Sequence, residues 1–433
     1  MSPLYRNDAP GEFPDSWYAA TVDLPPQRAE LRGEERADVA IVGAGFTGLT
    51  AALRLAQAGR KVIVLEAHRA GFGASGRNGG QVSSGYNWQQ QDLAAKLGFD
   101  AARLLWEASE QAKQDLRDTV AAHAPEARYT PGVAYGVYSD KARDKVHAEA
   151  DYLARTYGYE TEKLDRPAFY DIVRAKHYTG GVLDMGAGHV HPLRYVLGLA
   201  RAAEAAGVVI HEGTEVHRIT HGTPVKVQTG HGHVLADHVI LAGNGYLPGI
   251  EPKVAAKVMP INSFIGATEP LGDRADEVLR RDIAVADEKF VVNYFRLSED
   301  RRLLFGGRES YSIGYPKDIE TALKARMLSL FPQLEGVKMD HVWGGTLGIT
   351  MSRLPAIQRV ADNVYSAAGY SGHGVALSGF AGRVMAEAVI GQTDRFDVME
   401  TLPVPSFPGG TAFRAPLLAL AMTWYGLRDR LGL

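Results

Sequence analysis

Three glycines and one carboxylate carry the first chemistry in the chain. Residues 38 to 42, DVAIV, form a short apolar run, and GAGFTG follows with Gly43, Gly45 and Gly48 spaced around Phe46 and Thr47. LTAALRLAQAG then sets Leu49, Leu53 and Ala56 at helical spacing before a stop at Gly59, and KVIVLE ends on Glu66, eighteen residues past the last glycine. Strand, GxGxxG, helix, strand, acid is the order that binds a dinucleotide. Gly43 makes the tight turn, Gly45 lets the backbone approach a pyrophosphate, and Gly48 lets the helix sit against the strand. The helix start turns free N–H groups toward the phosphates. Glu66, with Ala67 beside it, is placed to accept from both hydroxyls of a ribose.

A second glycine-rich turn, GFGASGRNGGQ at residues 71 to 81, decides which dinucleotide. It interleaves Gly73, Ala74, Ser75, Arg77, Asn78, Gly79, Gly80 and Gln81. Closely spaced glycines let backbone N–H groups come near a ligand where a side chain would collide. FAD, wrapped along its whole length, needs such a second surface; a nicotinamide cofactor does not. The chain has no cysteine, and residues 71 to 81 contain no histidine, so the FAD is expected to be held non-covalently. His189 and His191 in GHVHP lack a third ligand at suitable spacing, and no metal is expected.

These turns need a frame to hold them. At 433 residues the chain is long enough for roughly three domain-sized units. Its 47 Lys and Arg are dispersed among 50 Asp and Glu, for a formal net charge of -3, so no nucleic-acid partner is expected. The N-terminus lacks the apolar core of a signal peptide, and the lack of cysteine fits a reducing cytoplasm. The apolar stretch at 415 to 426 is too short to span a bilayer and reads as a packed helix, so no membrane partner is expected.

Residues 91 to 158 read as a helical insertion. Leu104, Ala108, Ala112, Leu116 and Val120 form one core face after a possible cap at Asp100, and Val146, Ala150, Leu153 and Tyr157 form another. Pro192 to Ala206 predicts a helix closed by Gly207. VVIHEGTEVHRI predicts paired short strands around Gly213, and FVVNYFRL and RRLLFGG predict a hairpin across SEDR. An apolar strand at 364 to 368 meets a turn with Gly369, Gly372 and Gly374, then a helix to Ile390. That helix start is a second anion-friendly site.

The segments VGAGFTGL, LEAHRAGFGASGRNGGQ, YTGGVLDMGAGHVHPL, VILAGNGYL and GYSGHGV resemble the FAD-dependent oxidoreductases of the D-amino-acid oxidase and glycine oxidase type. The resemblance implies an α/β fold: a Rossmann-type FAD-binding domain of the glutathione-reductase and D-amino-acid-oxidase kind, with a second α+β substrate domain on an antiparallel sheet. It implies a FAD domain assembled from 37–90, 171–250 and 346–400, and a substrate domain from 91–170 and 251–345. An extension at 1–36 and a tail with a helix at 401–433 flank them. It places the backbone of Val216 at the adenine, Ala242 and Gly243 along the nucleotide, and Gly372, His373, Gly374 and Val375 beside the flavin pyrimidine.

The implied enzyme is an amine oxidase. Its small-molecule substrate is a primary amine carrying a γ-glutamyl group, the amine becomes an aldehyde, and molecular oxygen is the electron acceptor. Some amine oxidases of this wider family set a lysine over the flavin in the strand that here reads RRLLFGGRE, where Leu303 and Leu304 stand. His373 is the first candidate for a catalytic base, since only a neutral amine donates hydride readily. Arg308, Arg353, Trp343 and Tyr294 are candidates for substrate contact, with Arg77 a third arginine able to grip a carboxylate, and Phe290 and Phe295 are further possible covers for the flavin face. Oxidation of D-amino acids, glycine or sarcosine, and a non-catalytic flavin-binding subunit, are the alternatives.

Overall fold

The apolar runs AIV, VIVL and VIL become the centre of a parallel sheet because both of its faces are covered. In a computed structural model, which describes residues 3–247, 249–289, 291–310 and 314–408, Gly33–Val42 lies between Val62–Leu65 and Gly232–Leu241, parallel to both. The order across the eight-stranded sheet is Ala356–Ala361, Val364–Ala368, Gly232–Leu241, Gly33–Val42, Val62–Leu65, Val209–His211. A hairpin, Val216–Thr220 and Val225–Thr229, hangs from Gly232–Leu241. Register does the positioning: Val42 pairs with both Leu65 and Leu241, so Gly43, Glu66 and Ala242 leave the sheet at one edge. Val364–Ala368 runs parallel to Gly232–Leu241 and brings Gly369 to the same edge. Ligands of open α/β sheets bind at this carboxyl edge.

The second sheet has nine strands among the described residues, ordered Met339–Ile349, Met259–Thr268, Leu303–Ser310, Tyr294–Leu297, Ala284–Asp287, Thr130–Val137, Gly180–His189, Gln81–Val82, with Glu162–Asp165 added on Gly180–His189. The expected hairpin is present, with Tyr294–Leu297 antiparallel to Leu303–Ser310. Three expectations are corrected. Residues 91 to 158 are not wholly helical: Thr130–Val137 is an inner strand of this sheet, its Val133, Ala134 and Val137 buried between two long helices in sequence. Gly180–His189, expected in the first domain, pairs here, because it is the strand that accepts both Thr130–Val137 and Gln81–Val82. Val209–His211 and Val216–Thr220 do not pair with each other; the former follows helix Pro192–Ala205 and completes the parallel sheet against Val62–Leu65.

Helix Phe99–His123 buries Ala102, Leu105, Trp106, Ser109, Ala112, Lys113, Leu116 and Val120, while Leu104 is 42% exposed. The buried stripe follows 3 and 4 spacing, where a strict interval of four drifts around the helix. Asp100 sits in the first turn, and Gly98, with φ +88, is the residue that starts the helix. Helix Asp140–Tyr157 buries only Ala150; its Val146 and Leu153 line a cavity where a packed core was expected. No helix of the described residues is long and apolar enough to cross a membrane. The expected helix at 415 to 426 and the ring of Phe290 lie outside the described residues.

Candidate active site

A single cavity of about 930 Å³ runs from the carboxyl edge of the parallel sheet to the face of the second sheet. Its first wall is backbone. Gly43, Gly45, Phe46 and Thr47 line it beside Glu66 and Ala67, with Ala242 and Gly243 opposite and Val216 at the end. Gly48 lies behind that wall, where any Cβ would collide with the carbonyl oxygen of Gly43. A Cβ on Gly45 would come within 2.8 Å of Ser75 Oγ, and Ser75 Oγ accepts from Phe46 N at 3.0 Å. The start of helix Phe46–Gln57 therefore faces a space that only glycine and a small hydroxyl leave open.

Glu66 is the anion in this wall. Its Oε2 accepts from Ala44 N at 2.8 Å and its Oε1 from His68 N at 3.0 Å, while burial raises its carboxyl above the ordinary range. His68 accepts from Gly11 N through Nδ1 and donates to Leu4 O through Nε2, so both ring nitrogens are engaged. The N-terminal segment, expected as a mere extension, thus reaches the Glu66 side of the cavity: Leu4 lines it and Tyr5 packs on His68.

The turn at 71 to 81 answers to packing as much as to a ligand. Gly73, Ala74, Ser75, Arg77, Asn78, Gly79 and Gln81 line the cavity. Gly80 does not: a Cβ there would strike the carbonyl oxygen of Val190, and one on Gly71 would strike Val196. Both glycines sit at positive φ against helix Pro192–Ala205 and the residues leading into it. Asn78 folds the turn, donating to Ala74 O and Ser75 O and accepting from Gly80 N. Gln81 then donates to Val285 O and crosses to the second sheet.

Two of the expected substrate contacts are structural. Arg77 is buried, pairing with Asp8 at 2.9 Å and donating to Phe72 O and Gly344 O, so Nε and Nη1 are committed to the fold, while Nη2 has no partner among the described residues. Trp343 is buried, donates to Arg77 O at 2.9 Å and packs edge-on against Tyr18, away from the cavity. Phe295 is likewise buried between Phe305 and Phe331. Tyr294 and Arg353 do line the cavity. The Tyr294 ring occupies the space that a Cβ on Gly79 or Gly306 would need. Arg308 pairs through its backbone with Phe264, and its side chain lies outside the described residues.

At the far turn, Gly372, His373, Gly374 and Val375 line the cavity at the start of helix Gly374–Val389. Tyr370 OH meets Thr47 Oγ1 at 2.8 Å, tying this helix start to that of Phe46–Gln57. Burial pushes the His373 imidazole down to about 4, and its Nε2 is sealed without a hydrogen-bond partner among the described residues. A neutral imidazole so weakly basic is poorly matched to the base expected for a primary ammonium, whose pKa is about 10. His191 caps helix Pro192–Ala205 through Nδ1 and meets Thr21 through Nε2, and His189 lies 3.4 Å from Asp282; burial lowers both imidazoles.

The residues fit FAD. A backbone wall, a buried carboxylate and two helix starts converge on one elongated cavity, and Tyr246, Ser378 and His373 present sealed polar atoms to it with no partner among the described residues. The same cavity has a second part to its lining, here called the chamber, made of side chains: Trp88, Trp106, Tyr135, Tyr159, Asp184 and Ala142, Lys145, Val146, Glu149, Ala150 and Leu153 of helix Asp140–Tyr157. The sequence gives no warning of Lys113, Tyr159 or Asp184, because a lysine on a long helix is ordinarily solvated.

Comparison with known proteins agrees with this geometry. Residues 38–388 match the DAO family, described as "FAD dependent oxidoreductase". The chain is 42% identical over 419 residues to the "Probable oxidoreductase OrdL" of Rhizobium meliloti, covering 96% of this chain and 97% of that one. It is 38% identical over 423 residues to the "Gamma-glutamylputrescine oxidoreductase" of Escherichia coli, covering 97% and 99%. Glycine oxidase from Geobacillus kaustophilus shares the fold with a TM-score of 0.66 at 21% identity, over 82% of this chain and 95% of that one. The chain is an enzyme of the DAO family of FAD-dependent oxidoreductases.

Proposed function

We propose that this oxidoreductase converts the primary amine of γ-glutamylputrescine, or of a closely related γ-glutamylated amine, to the aldehyde with release of ammonia. Molecular oxygen is the proposed acceptor, giving hydrogen peroxide, and the cytoplasm the proposed place of work. The observation that carries this is the charge of the chamber. Asp92, Glu149, Asp184, Asp287 and Glu288 line it against Lys145, Lys289 and Arg353. Such a balance favours a cation and works against a small anion. The particular amine is supported by the 38% identity to the Escherichia coli protein of that name.

Bound FAD supplies the hydride acceptor. The chain binds it through the glycine turns and Glu66, and the start of helix Gly374–Val389 directs its positive dipole end into the same cavity. Tyr294, braced over Gly79 and Gly306, limits where a substrate carbon can sit. A γ-glutamyl group adds a carboxylate, and Arg353, at a left-handed backbone position with φ 60, is its proposed partner. His373, neutral, serves as a hydrogen-bond partner in place of the general base expected of it. Leu303 and Leu304 are buried and stand where some relatives in the wider family place a lysine, so the acceptor is tested separately.

Anaerobic stopped-flow reduction tests the substrate. γ-Glutamylputrescine should bleach the flavin far faster than putrescine, glycine, sarcosine or D-alanine. Equal rates with putrescine, or the fastest rate with D-alanine, would overturn the assignment. Peroxide formed in air at one equivalent per turnover supports oxygen; reoxidation only by an added dye rejects it.

A further inference from the structure

A primary ammonium, with a pKa of about 10, reaches the cavity protonated and must lose a proton before its carbon can give up hydride. His373 Nε2 has no partner among the described residues, and the ring otherwise meets only the backbone of Ser84 and Gly85, which cannot pass a proton on. A different set of groups can. Asp184 lines the chamber, its Oδ1 accepting from Tyr159 OH at 2.6 Å and from Gly186 N and Ala187 N, its Oδ2 accepting from Ser84 Oγ at 2.6 Å. Both hydroxyls accept in turn from Lys113 Nζ, at 2.6 Å for Ser84 and 2.9 Å for Tyr159. The Lys113 side chain has no exposure at all, and its Nζ lies 2.9 Å from Glu110 Oε1 as an ion pair without hydrogen-bond geometry, Oε1 itself being sealed while the rest of the Glu110 side chain is part-exposed.

Glu110 is 29% exposed and lines a separate surface pocket with Glu107, Gln114 and Arg117. Trp106 lines both that pocket and the cavity. A buried ammonium is costly, and an apolar side chain of similar volume would fill this position on the helix more cheaply. Its retention between two carboxylates and two hydroxyls asks for a use.

We propose that Asp184, Ser84, Tyr159, Lys113 and Glu110 form a conduit that carries the substrate's ammonium proton from the chamber to solvent on the far side of helix Phe99–His123. This rests on the substrate being a primary amine. The steps balance without moving electrons. The ammonium N–H breaks as an O–H forms on Asp184. Lys113 gives a proton to Glu110, which releases it to water. The lone pair left on Lys113 takes the hydroxyl proton of Tyr159 or Ser84, and that oxygen takes the proton from Asp184. One proton enters, one leaves, and every group regains its starting charge.

Burial raises the Glu110 carboxyl above its ordinary range, which suits a group that must hold a proton briefly. The charged and titratable groups facing the chain are Glu110 and Arg117 on its own helix, Tyr129, Tyr159 and Asp184 from neighbouring elements, and His373 across the cavity. Asp184, Ser84 and Tyr159 line the cavity, with Asp184 the proposed acceptor of the substrate proton; Lys113 and Glu110 act through them.

The test is anaerobic flavin reduction in the FAD-loaded enzyme across pH, with proton release followed by an indicator dye in weak buffer. Lys113→Met and the double variant Ser84→Ala/Tyr159→Phe should slow reduction about tenfold or more near pH 7, with delayed proton release, yet come within about twofold of the unmodified enzyme near pH 10.5, where the amine arrives neutral. Equal slowing at both pH values, or none at either, would overturn the conduit. If Lys113→Met does not fold, the double variant decides, because it keeps all three charges. Failure of every primary amine to reduce the unmodified enzyme would overturn the substrate reading and the conduit with it; reduction with a pH-independent loss in the variants overturns the conduit alone.

Discussion

The two ends of the cavity are walled by different parts of the chain. Around the glycine turns, the proposed nucleotide end, the surface is backbone: Gly43, Gly45, Ala242 and Gly243, with one buried carboxylate, Glu66. At the chamber end it is side chain, drawn from helix Asp140–Tyr157, from the second sheet and from the loop between Ser83 and Gln90. A backbone wall tolerates few substitutions, since the alternative to glycine is a collision. A side-chain wall can be recut residue by residue, which lets one cofactor frame serve many substrates.

Substitutions that strain this contrast should differ in kind, and the largest effect belongs to the backbone wall. Gly48→Ala drives a Cβ into the carbonyl oxygen of Gly43, and the expected outcome is loss of soluble, FAD-containing protein, read by expression and absorbance. Wild-type yields of yellow protein would mean the helix can shift. Next is Arg77→Ala, which strands Asp8 and should cost about 3 to 5 kcal/mol of stability, seen as a large fall in Tm. A raised KM with unchanged Tm would instead return Arg77 to the substrate.

Smaller effects follow. Trp343→Phe removes the bond to Arg77 O and should cost about 1 kcal/mol in Tm terms while leaving flavin reduction intact. The His373 imidazole is lowered to about 4, so between there and its unfolded value near 6.5 the unfolded chain binds more protons than the folded one. Its contribution to stability is full above about 6.5 and is lost as pH falls toward about 4. In FAD-free protein, His373→Gln should therefore flatten the acid side of the Tm profile relative to the unmodified chain. An identical profile would show that the histidine is not held neutral.

The same contrast explains what the sequence discloses. Gly43, Gly45, Gly48 and Glu66 are legible because a dinucleotide demands fixed residue types at fixed spacing, and the parallel strands follow from their continuous apolar runs. Thr130–Val137 is hidden because its short alternation sits between two long helices whose periodicity dominates the window. Arg77 and Trp343 look functional by their glycine-rich neighbours; only tertiary contacts with Asp8 and Tyr18 reveal their work. Lys113 and Asp184 meet through Ser84 and Tyr159 across strands and a helix far apart in sequence, and no local pattern marks them.

The most direct test places one variant at each end and reads both properties in both. Glu66→Ala and Asp184→Asn are compared for FAD affinity and for the limiting rate of anaerobic reduction by γ-glutamylputrescine at saturating FAD. A division of labour between the two ends predicts a crossed result. Glu66→Ala loses roughly ten- to hundredfold in FAD affinity, as for a charge-assisted hydrogen bond of about 1.5 to 3 kcal/mol, with little change in the limiting rate. Asp184→Asn keeps FAD affinity and loses at least about tenfold in rate near pH 7. Parallel losses of both properties in both variants would contradict it.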